Sequence, residues 1–410
     1  MARLMIIADD LTGALDSAVQ FTEKGAAVRV LTADCGEFPE ADVLVVNAET
    51  RHVPPPDAYA QVFAFVKKAV AHGVPWIYKK TDSGLRGKIG SERAAVMDAS
   101  GCDVMPFIPA FPKLGRVTRN GIHYINGVPV AESSFGADPF EPVRESDIRQ
   151  LLGLQTDHKT YLNVYEPTEP GIHIYDAERD EDLRRIAETL SADGLHISGG
   201  CAGFGAALAE LLGFCGQRKT HWETPENLFV VCGSVHPVMI SQLVFAAEHG
   251  AKRISIPPEQ LLTGISDQLR DEVLTLAKQE GCCILDAAPE HADRVKQYAR
   301  STGMEEDMLR ETIACTLGTA VKDLLAHGLH STMLCSGGDT LLGMMRALGV
   351  TELEPVQELL PGIVLTRFGY GGKHCHVISK SGGFGGIQTI VQIANILKNR
   401  TGGANRVGML

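Results

Sequence analysis

Leu4-Met5-Ile6-Ile7-Ala8, running into Asp9-Asp10-Leu11-Thr12-Gly13, is the stretch that decides the fold. A short apolar run that gives way to carboxylates, a hydroxyl and a glycine reads as a buried strand with a polar turn at its carboxyl end. A helix over residues 14–24 is expected next. The same unit then recurs: Val28–Leu31 and residues 43–46 are strand-like, and residues 58–71 space Ala, Val and Phe as a helix does. Residues 76–79 form another strand-like run, with a helix expected near 92–99. This alternation predicts an α/β fold with a mostly parallel sheet flanked by helices.

One stretch breaks the rhythm. His123-Tyr124-Ile125 and Val128-Pro129-Val130 flank Asn126-Gly127. Asn-Gly between two apolar runs tolerates the positive φ of a tight turn, so a β-hairpin excursion is expected here. The polar residues 217–227, with Pro225, separate two apolar regions and mark a boundary between domains over residues 1–220 and 225–400. A chain of 410 residues has room for two or three domains at roughly 150 residues each. Past the boundary the α/β alternation restarts. Strands are expected at Leu228–Cys232, 253–256 and 332–335, and helices at 239–249, 306–327 and 340–348. The tail 401–410 carries little pattern and reads as loose.

Composition narrows the function classes. Hydrophobic residues make up 44% and charged residues 21%, which supplies an ordinary core. The net charge of -12 comes without any Lys/Arg block, which excludes a nucleic-acid partner on electrostatic grounds. Ten cysteines form no Cys-x-x-Cys pair, and several sit in apolar runs such as residues 229–232, so they read as reduced, buried thiols of a cytoplasmic protein. The apolar run before Asp9 is too short for a signal peptide, and no stretch approaches the roughly 20 residues that span a bilayer. The 43 glycines gather at particular loops.

Those loops carry the chemistry, because ligands of open α/β sheets sit outside the carboxyl ends of the strands. Asp9, Asp10 and Thr12 can bind vicinal hydroxyls or Mg²⁺, or merely cap the helix that follows. Lys80, Asp82, Ser83 and Arg86 crowd a second, glycine-bearing loop, where the guanidinium fork of Arg86 matches a carboxylate; a solvated turn is the plainer reading. Cys232-Gly233-Ser234 is a small turn that lets backbone N–H groups approach an anion, although tight packing explains it equally well. Ser336-Gly337-Gly338-Asp339-Thr340 and Lys380-Ser381-Gly382-Gly383-Phe384-Gly385-Gly386 each lie between a strand and a helix and suit phosphate binding. Neither matches the P-loop pattern, and no strand is followed by Gly-x-Gly-x-x-Gly. His374 and His376 share a strand face as a conceivable metal pair. No third ligand is apparent, and ordinary strand histidines are the better account.

Together these segments resemble the four-carbon acid sugar kinase family. The matching elements are Asp9-Asp10-Leu11-Thr12-Gly13, Thr81-Asp82-Ser83-Gly84-Leu85-Arg86-Gly87, Pro109-Ala110-Phe111-Pro112 with Gly115-Arg116, residues 123–133, Gly233-Ser234, the Ser336-to-Thr340 loop and the loop beginning at Lys380. The resemblance implies an N-terminal sugar-acid-binding domain and a C-terminal nucleotide-binding domain. It implies substrate contacts at Asp9, Asp10, Thr12, Asp82, Ser83 and Arg86, to which the chemistry of the second loop adds Lys80. It implies nucleotide contacts at Ser234, Gly337, Gly338, Asp339, Thr340, Gly382 and Gly383, to which the glycine loops add Ser336 and Lys380. ATP and Mg²⁺ are the expected cofactors, with D-threonate ahead of D-erythronate as acceptor and 3-oxo-tetronate the alternative. Asp339 and Asp82 are the candidate catalytic bases, and the metal ligands stay open. A dehydrogenase lacks its dinucleotide fingerprint here, and a non-catalytic sensor lacks an output module. The residues do not report the oligomeric state; a homodimer is one expectation.

Overall fold

A computed structural model describes residues 2–34, 36–138, 141–217, 223–279 and 281–401. The chain divides into two units, Met1–Arg218 and Lys219–Leu410. Cys35, part of the expected boundary and nearly all of the tail lie outside the described residues.

The first unit holds strands β1 (Leu4–Ala8), β2 (Val28–Leu31), β3 (Val43–Asn47), β4 (Trp76–Lys80), β5 (Val104–Ile108), β6 (Arg116–Arg119), β7 (Ile122–Ile125), β8 (Val128–Pro129), β9 (Thr160–Leu162), β10 (Gly171–Ile174) and β11 (Ile197–Gly200). Eight of them form one sheet in the order 2-3-1-4-11-5-10-9, with every neighbouring pair parallel. β1 sits inside the sheet and is buried along its whole length, as a strand covered on both faces must be. β6, β7 and β8 make the separate antiparallel ribbon that Asn126-Gly127 predicts. Asn126 and Gly127 both have positive φ, at 51° and 83°.

The first helix, Leu11–Thr22, starts three residues earlier than its periodicity suggests. The reason is local: the Asp10 side chain accepts from the Gly13 N–H at 2.8 Å and caps the helix directly off the strand. Register then fixes where the site must be. Ala8 stands opposite both Asn47 and Lys80, and Gly200 opposite Lys80 and Ile108. The carboxyl ends of β1, β3, β4, β11 and β5 therefore lie in one row, and the residues after each emerge on one edge.

The second unit holds β12 (Leu228–Cys232), β13 (Lys252–Ser255), β14 (Cys282–Asp286), β15 (Thr332–Ser336), β16 (Glu352–Leu360), β17 (Ile363–Tyr370) and β18 (Lys373–Lys380). The order is 13-14-12-15-18-17-16. The first five are mutually parallel, whereas β16, β17 and β18 form an antiparallel meander. The sequence reading saw only the last few residues of that meander. Cys232 pairs with Asp286 and Ser336, and Ser336 with Lys380, so three polar or glycine-bearing loops again leave one edge together.

Candidate functional site

In the first unit the row of strand ends assembles a nearly closed charge network. Arg51, on the segment after β3, is its hub. Its Nε donates to Asp9 Oδ2 at 2.8 Å and its Nη1 to Asp10 Oδ2 at 2.7 Å, and Nη2 lies 3.9 Å from Asp82 Oδ1. Burial alone would raise Asp9, yet Arg51, Lys80 and Lys79 outweigh it and hold the carboxyl below its usual range. Asp9 Oδ1 is buried without a hydrogen-bond partner.

Asp82 is gripped from a second side. Arg86 donates to it through Nε at 2.7 Å and Nη2 at 3.2 Å, and through Nη1 to Asp138 at 3.0 Å. Although burial opposes ionisation, Arg86 and Arg51 keep Asp82 charged far below the ordinary carboxylate range. The structure thus makes Asp82 and Arg86 partners of each other rather than two independent contacts. Lys80 is buried, and its Nζ donates to the Thr81 carbonyl at 2.8 Å. A Cβ on Gly13 would stand 2.6 Å from Asp10 Oδ1 and 2.8 Å from that Nζ, so the glycine lets both come close. Thr12 is buried in the first helical turn, and Ser83 in the loop.

Two supports hold this arrangement. Glu92, fully buried, sits 3.0 Å from Lys79 Nζ and accepts from the Thr50 hydroxyl, tying the segment that carries Arg51 to β4. The β6–β8 ribbon reaches in through His123, whose Nε2 lies 2.9 Å from the Ser83 carbonyl and whose Nδ1 lies 3.1 Å from Thr118 Oγ1. Burial pushes the imidazole down to about 4, so it is neutral, and Nε2–H donates to Ser83. The network offers buried carboxylates and guanidinium groups on one edge, which is the chemistry that recognises hydroxyls and a carboxylate together.

In the second unit the glycine loops converge. A Cβ on Gly233 would stand 2.5 Å from Thr340 Oγ1, and one on Gly382 2.4 Å from Ser234 Oγ, so these backbones approach as only glycine permits. Gly337 has φ of 102° and leads into the helix Gly338–Leu348, which carries Asp339 and Thr340 in its first turn. Ser336 is buried with an unpartnered hydroxyl. Asp339 is half exposed, 3.6 Å from Arg310 Nε.

Lys380 is fully buried beneath its loop. Its Nζ donates to the Ser381 carbonyl at 3.0 Å and the Gly382 carbonyl at 3.3 Å. In a trans peptide the N–H points opposite to the C=O. Drawing those two carbonyls inward therefore aims the N–H groups of Gly382 and Gly383 outward. Gln242 does the same from the helix Pro237–Glu248, donating to the carbonyls of Phe384, Gly385 and Gly386 at 2.9–3.2 Å. The carbonyls of this loop are thus taken up by Lys380 and Gln242, which leaves N–H groups such as those of Gly382 and Gly383 for an anion.

Sequence reasoning missed Arg51, His123 as a clamp, and His236, the residue before Pro237. The signal for Arg51 was its place just past a strand end, the same criterion that singled out Asp9 and Asp82. His374 and His376 lie elsewhere in this unit, lining a cavity of about 710 Å³ with Arg367, Cys375 and His330. Among the described residues no group of three or more His, Cys, Asp or Glu could hold a metal ion. The described cysteines are free, and no described helix is long and apolar enough to cross a membrane.

Comparison with known proteins matches both halves. A sugar-binding N-terminal domain family covers residues 4–208, and a nucleotide-binding C-terminal domain family covers residues 229–390. A D-threonate kinase of Salmonella typhimurium is 28% identical, across 95% of this chain and 96% of that one. A D-threonate kinase of Bordetella bronchiseptica is 30% identical, across 96% and 97%. A 3-oxo-tetronate kinase of Pseudomonas savastanoi is 26% identical, across 92% and 94%. A solved structure of a Haemophilus influenzae protein covers 96% of this chain and 100% of its own at 22% identity, with a TM-score of 0.72, which speaks to the fold alone.

Proposed function

Because the chain belongs to the four-carbon acid sugar kinase family, we propose that it transfers the γ-phosphoryl group of ATP to the terminal hydroxyl of a four-carbon sugar acid, D-threonate first and D-erythronate next. The observation that carries this reading is end-to-end similarity to D-threonate kinases at 28% and 30% identity, spanning both units. The 3-oxo acid is the competing acceptor, since a kinase of that specificity is 26% identical.

The chemistry assigns each unit a task. The Asp9, Asp10, Arg51, Asp82 and Arg86 network, with Lys80, Thr12 and Ser83, holds the acid. Asp9 Oδ1 takes a hydroxyl proton donor, and the guanidinium groups of Arg51 and Arg86 face its carboxylate. The glycine loops, with Ser234, Ser336, Gly337, Gly338, Thr340, Gly382 and Gly383, hold the triphosphate through backbone N–H groups, while Lys380 sets their direction. Mg²⁺ enters on the phosphates of ATP as part of the substrate, and such a metal needs only one or two protein carboxylates.

In the transfer the hydroxyl oxygen forms a bond to the γ-phosphorus, the bond to the β-phosphate oxygen breaks, and ADP leaves. Positioning and charge supply most of such catalysis. The hydroxyl proton goes to an aspartate. Asp339 is favoured over Asp82, because a carboxylate held so far below its usual range by Arg86 and Arg51 has little affinity for a proton.

The test is ADP release with Mg-ATP against D-threonate, D-erythronate, their L-forms and 3-oxo-tetronate. Turnover on D-threonate above the others is the expected result. ADP release on none of them, with ATP still bound, would sink the kinase assignment in favour of a binding protein.

A further inference from the structure

His236 stands where the glycine loops of the second unit meet. It is half-buried at the N-terminus of the helix Pro237–Glu248, and its Nδ1 accepts from the Val238 N–H at 3.2 Å. That bond settles the tautomer, since a neutral imidazole that accepts at Nδ1 carries its proton on Nε2. The rest of the ring lies along the phosphate loop. A Cβ on Gly382 would come 3.1 Å from His236 Cβ, and one on Gly383 would come 3.1 Å from His236 Nε2. The backbone N–H of His236 also donates to Ser234 Oγ at 3.3 Å, the same hydroxyl that abuts Gly382.

We propose that His236 Nε2–H donates a hydrogen bond to a terminal phosphate oxygen of the bound nucleoside triphosphate and positions it for transfer. This rests on the reading that the glycine loops hold the triphosphate. Lys380, the cation of the loop, has its ammonium turned inward to the carbonyls of Ser381 and Gly382. Its charge reaches a phosphate only through the peptide groups. His236 Nε2 lies beside Gly383, whose N–H belongs to the peptide that Lys380 holds by its carbonyl. The imidazole neither gains nor loses a proton in the reaction; it supplies a fixed donor to oxygens whose charge rises as the bond to the β-phosphate breaks.

A helix cap alone would also explain the Nδ1 bond, and three variants separate the two roles. Asparagine is among the best N-cap residues but is too short to present a donor where Nε2 stands. Glutamine reaches further. His236→Asn should therefore keep the wild-type melting temperature yet lose about 10- to 100-fold in kcat/KM for ATP, the range of one charge-assisted hydrogen bond. His236→Gln should recover part of that loss, and the KM for the sugar acid should not move in either. His236→Ala should lose both stability and ATP turnover. Wild-type kcat/KM in His236→Asn would leave only the cap and overturn the proposal. Calorimetry of ADP and ATP with the wild-type protein guards the premise: absence of binding there removes the phosphate-loop reading itself, whereas binding by wild type with an unaffected His236→Asn removes this inference alone.

Discussion

Asp9 accepts from Arg51 Nε at 2.8 Å through one carboxylate oxygen, while its other oxygen is buried with no hydrogen-bond partner. A buried acceptor left unmade is costly, so such an atom is poised for a donor, and a sugar hydroxyl is one. Asp9→Asn keeps the shape but halves the acceptor capacity and removes the charge that Arg51 answers. Its kcat/KM for the acid should fall about 10- to 100-fold, the worth of one hydrogen bond to a charged group. ADP affinity, measured by calorimetry, should stay at the wild-type value. An unchanged kcat/KM for the acid would remove Asp9 from the site.

Arg86 holds Asp82 in place and is proposed to face the acid, and its variants test both. It grips Asp82 with two nitrogens and reaches Asp138 with a third. Arg86→Ala should raise the KM for the acid and leave ADP affinity intact. It should also destabilise the fold by about 3 kcal/mol in urea unfolding, since it strands a largely buried carboxylate. Arg86→Lys should rescue little of either, because an ammonium cannot match the two-pronged geometry. Loss of ADP binding in Arg86→Ala would contradict the division of labour between the units.

The parallel core and the polar loops at its strand ends were legible because they rest on local rules. Leu4–Ala8 is apolar throughout since it is covered on both faces, and Asn126-Gly127 must turn. The loops after β1, β4, β12, β15 and β18 stood out since each joins a buried strand to polar or glycine residues. What the sequence hides is pairing. The antiparallel meander of β16 and β17 was missed because its residues mix charge and apolar character without helix or strand bounds as clear as those of β1. Arg51 was missed because its meaning comes from Ala8 standing opposite Asn47, a matter of register. Asp10 illustrates the limit well: its residues allow a ligand contact or a helix cap, and the structure shows the cap together with an ion pair to Arg51 that neither reading contains.

The buried His123 makes stability depend on acid. Its imidazole drops from 6.5 to about 4 in the folded protein because burial disfavours the charged ring. Between those values the unfolded chain takes up a proton that the folded one refuses, so the folded state loses ground as pH falls. The stabilising contribution is complete above pH 6.5, amounts to about 3 kcal/mol, and is gone near pH 4. Urea unfolding of His123→Gln should show a flatter dependence across that window, with lower stability at pH 7 from the lost clamp on Ser83. A wild-type curve with no slope between pH 6.5 and 5 would show that the ring titrates normally.

Lys380 should give the nucleotide loops an alkaline limit. Burial lowers its ammonium from 10.5 to about 8. The charged form donates to the carbonyls of Ser381 and Gly382 and so keeps the N–H groups of Gly382 and Gly383 facing outward. Above about pH 8 the amine becomes neutral, donates more weakly, and contributes less positive potential to the loop. ADP affinity should therefore fall between pH 7 and 9, while Lys380→Met should bind weakly at both and show no such slope. Stability runs the other way: between pH 8 and 10.5 the unfolded chain holds the proton that the folded chain has released, so this group makes the folded state gain with rising pH. General alkaline loosening would lower binding and stability together. Opposite slopes in the wild-type protein, both removed in Lys380→Met, are the signature of Lys380, and an ADP affinity flat from pH 7 to 9 would rule it out.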